Sequence, residues 1–442
     1  MERTTRFGLV LASCVFVASC GSLAIQPTTA INAMDTTVGS YKDTDTDRYI
    51  IVTMTNAVHE QLVRGERVDR EGDLPPMYAK FLGNLTRSYG LKRVADWPLG
   101  SIEIRCLIFE VTDVKRREAT IAALAKERFV ESAQPFNMFY ALADAPLPKG
   151  GAYNDPYRDL QPGLQVMQIS ESHRWATGKG VRVAVIDTGV DTRHPELRDR
   201  VVGIRNFVDR NDNAFNADVH GTAVAGVIAA SSNNGIGVVG IAPEADLIAL
   251  KACWEGDRLL SGAHCSSFTL AKAINFAIDQ EVDVINLSLG GPADPLLERL
   301  VAKALERNIL VVGAASPKWP NGFPAAIDGV IPVTTAGTES MAAVKDGGPI
   351  QYIVAPGTQV LSTKPKNDYD FFTGSSFSTA NISGVAALIR QRKPHLSGKV
   401  VKDLIATTSQ SEPPEANACQ ALARIVADGA CEPKSATKTA QH

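Results

Sequence analysis

The sequence has no marked excess of either charge: 45 Lys and Arg stand against 48 Asp and Glu, a net charge of -3 over 442 residues. Nor does a basic stripe interleaved with aromatic residues run along it. Without such a stripe there is little to neutralise a phosphate backbone, so nucleic acid is excluded as an expected partner. A hydrophobic run of spanning length is missing from the N-terminus as well. The apolar stretch Phe7 to Ala18, preceded by Arg3 and Arg6, is too short to cross a bilayer comfortably and reads as a targeting segment that is removed. What is present is ordinary for a soluble globular protein: 45% apolar and 21% charged residues, with length for two to three domains.

Val17, Ala18 and Ser19 before Cys20 resemble a bacterial lipobox, which implies a signal peptide at 1–19, cleavage before Cys20 and lipidation of its thiol. Leu11, Ala12 and Ser13 before Cys14 give a second match that leaves a very short apolar region, and an ordinary secretory signal is the alternative to both. Gly21 stands where an Asp would favour inner-membrane retention, so the resemblance points to an outer-membrane anchor facing the periplasm. Residues 20–47, rich in Thr, Ser and Asp, read as a tether. Cys253 with Cys265 and Cys419 with Cys431 share the same short separation. In an oxidising compartment they read as two local disulfides, with four buried free thiols as the alternative, and Cys106 is left without an obvious partner.

From residue 48 to 142 the order is roughly βαββαβ, a small α+β domain. YIIVTMT and RCLIFEVT are strand text, PPMYAKFLGNLTRSYG and VKRREATIAALAKE are helix text, and FVESAQPFNMFYAL closes the run. Pro146, Pro148, Gly150, Gly151, Asn154, Asp155 and Pro156 mark residues 143–159 as an exposed linker. Residues 160–431 then alternate apolar strands (VRVAVID, DLIALKA, VDVINLSLG, ILVVGAA, VIPVTT, QYIVAP) with helices (after His220, TLAKAINFAIDQ, PLLERLVAKALERN). Near-continuous apolar strands are those covered on both faces, which predicts an α/β fold, a doubly wound parallel sheet. Residues 432–442 are a polar tail.

In such a sheet, reactive groups gather at the carboxyl ends of the strands. Asp187 ends VRVAVID, His220 opens the helix HGTAVAGVIAA, and Ser376 starts the helix of FTGSSFSTANISGVAALI. In the last, Ile382, Val385, Ala386 and Ile389 keep i, i+3, i+4, i+7 spacing, which predicts one buried face. Asp, His and Ser are the parts of a nucleophilic triad. Taken singly, each also reads as a cap or turn residue.

Together the strings VAVIDTGVDTRHPEL, HGTAVAGVIAA and GSSFSTA, in that order, resemble the three motifs of the subtilisin-like serine proteases. GVVGIAP (237–243) and DVINLSLGG (283–291) support the resemblance, which covers about residues 155–410. It implies Ser376 as nucleophile, His220 as general base and acid, and Asp187 as the orienting carboxylate. Ser288, Leu289 and Gly290 become the edge that pairs with a protein or peptide substrate. Ser316 stands where the family has an Asn that donates to the oxyanion, so Ser316 and the Ser376 amide are the expected oxyanion donors, with Asn321 as an outside candidate. Ser375, Ala380 and Asn381 replace a usual Thr, Pro and His. The chemistry requires no cofactor. Asn234, Ile236 and Val238 fall in a loop that binds structural calcium in many relatives, with Glu196 where an Asp often contributes; a plain surface turn is the rival reading.

The resemblance also makes residues 48–142 an inhibitory propeptide, the chain's own intramolecular inhibitor. The expected protein is a lipid-anchored monomeric endopeptidase, cut by itself between about Leu142 and Asp159. Its alternative is a degenerate or very slow protease that acts as a binding or regulatory protein with its N-terminal domain retained in the cleft. An esterase lacks support, because the GxSxG elbow is absent.

Overall fold

The structure, a computed structural model, describes residues 46–55, 76–140, 153–209, 215–255, 263–336, 344–345, 348–406, 415–427 and 431. The targeting segment with Cys14 and Cys20, nearly all of the tether, much of the linker and the polar tail lie outside the described residues.

The N-terminal domain has strands β1 (Tyr49–Thr55), β2 (Leu91–Leu99), β3 (Ile104–Val111) and β4 (Val130–Pro135), with helices α1 (Pro76–Tyr89) before β2 and α2 (Arg117–Leu124) before β4. The order is the expected βαββαβ. The strands form an antiparallel sheet in the order β2-β3-β1-β4. β2 reads LKRVADWPL, and its Pro98 is tolerated because the strand lies at the sheet edge. Successive side chains on a strand point to opposite faces, and here both faces are apolar. Ile50, Val52, Leu107 and Phe109 pack on Leu82 and Leu85 of α1 and Leu124 of α2. Ile51, Trp97, Cys106 and Ile108 point the other way, into a cluster with Phe268, Ile274, Leu297 and Leu300. That second partner belongs to the C-terminal domain.

The C-terminal domain opens with the short helices α3 (Pro162–Val166) and α4 (Ile169–Ser172). Its strands are β6 (Arg182–Asp187), β7 (Val201–Asn206), β8 (Asp246–Lys251), β11 (Val284–Leu287), β12 (Leu310–Ala314), β13 (Ile331–Thr335) and β16 (Ile353–Ala355), after β5 (Met138–Tyr140) has left the first domain. Between them lie the hairpin β9 (Cys253–Glu255) and β10 (Ala263–Ser266), and the short pair β14 (Val344–Lys345) and β15 (Gly348–Pro349). The hairpin β17 (Val360–Lys364) and β18 (Asp368–Phe372) follows. The main sheet has seven parallel strands in the order β16-β13-β12-β11-β6-β8-β7. Helices α5 (Val219–Ala229) and α8 (Ser375–Arg392) cover one face, where Val183 and Val185 point. Helices α6 (Ser267–Asp279) and α7 (Pro295–Glu306) cover the other, where Ala184 and Ile186 point. Helices α9 (Gly398–Ala406) and α10 (Ala418–Ala423) close the chain.

Two expectations change. Helix α8 is buried on every side from Ser375 to Arg390 rather than along one face, because it runs through the core between the sheet and α5. The hairpin β9–β10 was not predicted, and it carries the Cys253–Cys265 disulfide between directly paired residues. Cys419 and Cys431 form the second disulfide, and Cys106 is a buried free thiol. β5 adds antiparallel to the open edge of β10, with Tyr140 opposite His264, so the first domain contributes a strand to the second.

Candidate active site

The chain leaves β6 toward β8 on one side and reaches β11 on the other, so the strand order reverses there. The crevice of a doubly wound sheet opens at that point, beyond the carboxyl ends of the strands. Asp187 ends β6, Ser288 to Gly290 follow β11, and Ser316 follows β12.

Asp187 is buried, and its Oδ1 accepts hydrogen bonds from the Thr188 amide at 2.7 Å and from His220 Nδ1 at 2.7 Å. His220 is the second residue of α5. The helix approaches the Asp187 turn so closely that a Cβ on Gly221 would lie 2.2 Å from the Gly189 carbonyl oxygen, which excludes any side chain there. The far ring nitrogen, His220 Nε2, is buried and makes no hydrogen bond. Burial opposes a charge on His220, but the Asp187 carboxylate, through its charge and its hydrogen bond, and Glu255 behind it lift the imidazole above the ordinary histidine value. The ring lies 5.6 Å from that of Phe377, which in turn stacks on Phe372 at 5.3 Å.

Ser376 is the second residue of α8. The turn before it needs glycine, since Gly374 has φ 148°. Ser376 Oγ donates to the Ser288 carbonyl at 2.9 Å, and Ser288 Oγ donates back to the Ser376 carbonyl at 2.8 Å. Asp187 and His220 are therefore bonded to each other, while Ser376 Oγ is turned to the Ser288 carbonyl. A change of serine rotamer is a local adjustment between staggered wells. Catalytic hydrogen bonds commonly tighten only when substrate is bound.

Ser316 is buried, its Oγ makes no hydrogen bond, and a Cβ on Gly290 would come within 2.9 Å of Ser316 Cβ. An unsatisfied hydroxyl thus sits against the Ser288–Gly290 segment. Asn321 is exposed. The three replacements near the nucleophile are accommodated: Ser375 Oγ donates to the Ala315 carbonyl at 3.0 Å, and Asn381 Nδ2 donates to that of Pro356 at 2.8 Å, while Ala380 packs in the core.

Three further charged residues surround the pair. Lys251, ending β8 in full burial, donates to Asp218 Oδ2 at 2.5 Å and to the Thr188 carbonyl. Burial pushes the Asp218 carboxyl up to about 7 against the pull of Lys251. Glu255 Oε1 accepts from the amides of Val219 at 2.5 Å and His220 at 3.1 Å. A lysine closing an apolar strand and an aspartate two residues before His220 were visible signals for the first two. Glu255 reaches the site across the fold and left none.

Glu196 is buried, and its carboxylate accepts from Val238 N at 2.9 Å, Tyr369 OH at 3.1 Å and Asn234 Nδ2 at 2.8 Å. Asn234 Oδ1 is taken by the Ile236 amide at 3.1 Å. Donors thus converge on the Glu196 carboxylate and on Asn234 Oδ1, the two side-chain groups expected to reach the ion. Among the described residues there is no group of three or more His, Cys, Asp or Glu placed to hold a metal.

The parallel sheet and the reactive groups at its switch point define the class, an α/β serine peptidase. Residues 178–429, more than half of the chain, match the Subtilase family. The chain belongs to that family. It is 37% identical over 248 residues to the major intracellular serine protease of Bacillus subtilis (strain 168), covering 52% of this chain and 75% of the relative. It is 35% identical over 243 residues to thermitase of Thermoactinomyces vulgaris, covering 53% and 84%. Among solved structures it is similar to fervidolysin from Fervidobacterium pennivorans, a keratinolytic enzyme related to subtilisin. There the TM-score is 0.65 at 21% identity, covering 85% of this chain and 60% of that one, less than two thirds of its length, and the likeness is one of fold.

Proposed function

We propose that the chain is a secreted subtilisin-like endopeptidase, made as a self-inhibited precursor, that hydrolyses peptide bonds through Ser376, His220 and Asp187. The observation that carries this reading is the 2.7 Å Asp187–His220 pair, whose free Nε2 lies at the switch point. Nε2 takes the proton as Ser376 Oγ bonds to the substrate carbonyl carbon. The oxyanion that forms is held by the Ser376 amide, at the positive end of the α8 dipole, and by Ser316 Oγ. Collapse breaks the C–N bond, and the leaving amine takes the proton from Nε2. Water then repeats the sequence on the acyl-enzyme and frees Ser376. Ser288, Leu289 and Gly290 on one side and β10 on the other receive the substrate as an added strand. No cofactor enters these steps.

The N-terminal domain is the inhibitor. β5 occupies the edge of β10 that a substrate strand would use, which supports this role. The same observation favours the second reading, a protein whose first domain stays in the cleft and whose activity is very slow. Self-cleavage falls between about Leu142 and Asp159. Cys20 carries the lipid that anchors a monomer to a periplasm-facing membrane, and fatty-acid labelling lost in Cys20→Ala tests that anchor.

Expressing wild type and Ser376→Ala and sequencing the N-termini tests the main reading. Cleavage in the linker of wild type alone is expected; equal processing in both would sink autocatalysis. In the processed enzyme, Ser316→Asn should raise kcat by about tenfold or more and Ser316→Ala should lower it, with KM little changed. Unchanged kcat in both variants removes Ser316 from the oxyanion site.

A further inference from the structure

A helix of eleven residues such as α5 begins with amides that lack acceptors inside the helix, and the residue at the N-cap ordinarily supplies one from its own side chain. Asp218 holds that position but makes no capping bond, because its carboxylate is committed to Lys251 at 2.5 Å. The vacancy is filled from another element. Glu255, the last residue of β9, sends Oε1 to the amides of Val219 and His220, at 2.5 and 3.1 Å. Its own backbone is fixed by pairing with Ala263 and by the Cys253–Cys265 rung two residues back.

We infer that Glu255 is a positioning residue for His220: it replaces the missing cap of α5, holds the main chain of the histidine, and sets a negative charge beside the imidazole. The inference rests on His220 as the general base of the proposed function. Among the described residues, the charged groups bonded around the start of α5 are Asp187 from β6, on the His220 ring, Glu255 from β9, on the His220 amide, and the pair Asp218 and Lys251 from the start of α5 and the end of β8. From α8 the neighbour is Phe377, backed by Phe372, and neither carries charge. Asp218 and Lys251 oppose each other at contact distance. Asp187 and Glu255 act in the same direction, and both favour the imidazolium that forms when Ser376 attacks.

Removing the Glu255 charge while keeping an acceptor separates the two roles. Negative neighbours raise a histidine pKa, so Glu255→Gln must lower it, and the acid limb of kcat/KM against pH must move to lower pH. A move of roughly half a pH unit is expected at low salt, and a smaller one at 1 M salt. Glu255→Asp keeps the charge but draws the acceptor back. It should leave the acid limb near wild type and lower the plateau kcat by about tenfold, the effect of a slackened base. Coincident acid limbs for wild type and Glu255→Gln at low salt overturn the charge role, and a wild-type plateau in Glu255→Asp overturns the positioning role.

A second measurement needs no turnover. In the full chain carrying Ser376→Ala, the His220 ring is titrated by NMR and assigned by its loss in an added His220→Gln. Its midpoint should fall when Glu255→Gln is introduced, and an unmoved midpoint overturns the inference. If wild type shows no Ser376-dependent peptidase activity while the midpoint still falls, the protease reading fails and the hold of Glu255 on the imidazole stands.

Discussion

Both large sheets of this protein are covered on two faces, but by different means. The parallel sheet of the C-terminal domain takes both covers from its own helices, α5 and α8 on one side and α6 and α7 on the other. The antiparallel sheet of the N-terminal domain owns one cover, α1 and α2, and borrows the other from α6 and α7 of its neighbour. Antiparallel sheets commonly leave one face to water, so a second apolar face is a commitment to a partner. Separating the two would expose Ile51, Trp97, Cys106 and Ile108 on one side and Phe268 and Leu297 on the other.

Substitutions along the shared face should break the domains apart unequally, with melting of the uncut Ser376→Ala chain as the common readout. Trp97 meets Phe268 edge to face at 4.2 Å between ring centroids, and its truncation should have the largest effect. Trp97→Ala should cost about 3–5 kcal/mol, lowering the N-terminal transition and leaving the C-terminal one in place. An equal fall in both transitions would mean that the C-terminal domain relies on the shared face as well.

Asp294 stands between the domains. It caps α7 through the amides of Leu296 and Leu297, each at 3.1 Å, takes Ser267 Oγ at 2.5 Å, and receives Gln134 Nε2 at 2.7 Å and Asn137 Nδ2 at 3.2 Å from the first domain. Asp294→Ala should cost about 2–3 kcal/mol and lower both transitions, because the cap belongs to one domain and the two amides to the other. Gln134→Ala should cost about 1 kcal/mol and lower the N-terminal transition more than the C-terminal one, because the Leu296 amide that also bonds Gln134 Oε1 at 3.2 Å keeps Asp294 as acceptor. If Asp294→Ala also spares the C-terminal transition, its capping role is minor and it serves docking only.

Much of the site was legible before the fold. Asp187, His220 and Ser376 each sit where a strand or turn becomes a helix, and such junctions have short local signatures. The parallel strands were legible because burial on both faces makes them unbroken apolar text, as in VAVID and VINL. The edge strand β7 escaped: a pattern such as VVGIRN, with Val202 and Ile204 half exposed, has little to mark it as part of the sheet. Helix α8 was misjudged for a physical reason. Ser375, Ser376, Ser378, Thr379, Asn381 and Ser383 look like a solvated face, yet each is buried with an acceptor in reach: the carbonyls of Ala315, Ser288, Ala355, Ser375 and Pro356, and Asn286 Oδ1. Polar residues go inside when strand ends and turns offer partners, and that offer is written elsewhere in the chain. Glu255 was hidden in the same way, since its acceptor role exists only once β9 lies beside α5.

The free thiol of Cys106 has a practical consequence. It points from β3 into the face shared by the two domains, and burial, with Asp294 and Asp96 nearby, raises its pKa well above the ordinary thiol value, so in the joined chain it is shielded and unreactive. Were the first domain released, as the proposed function requires, that thiol would meet solvent. A maleimide dye would then stain the chain at this position only after such parting, so this thiol can time the release that the proposed function predicts.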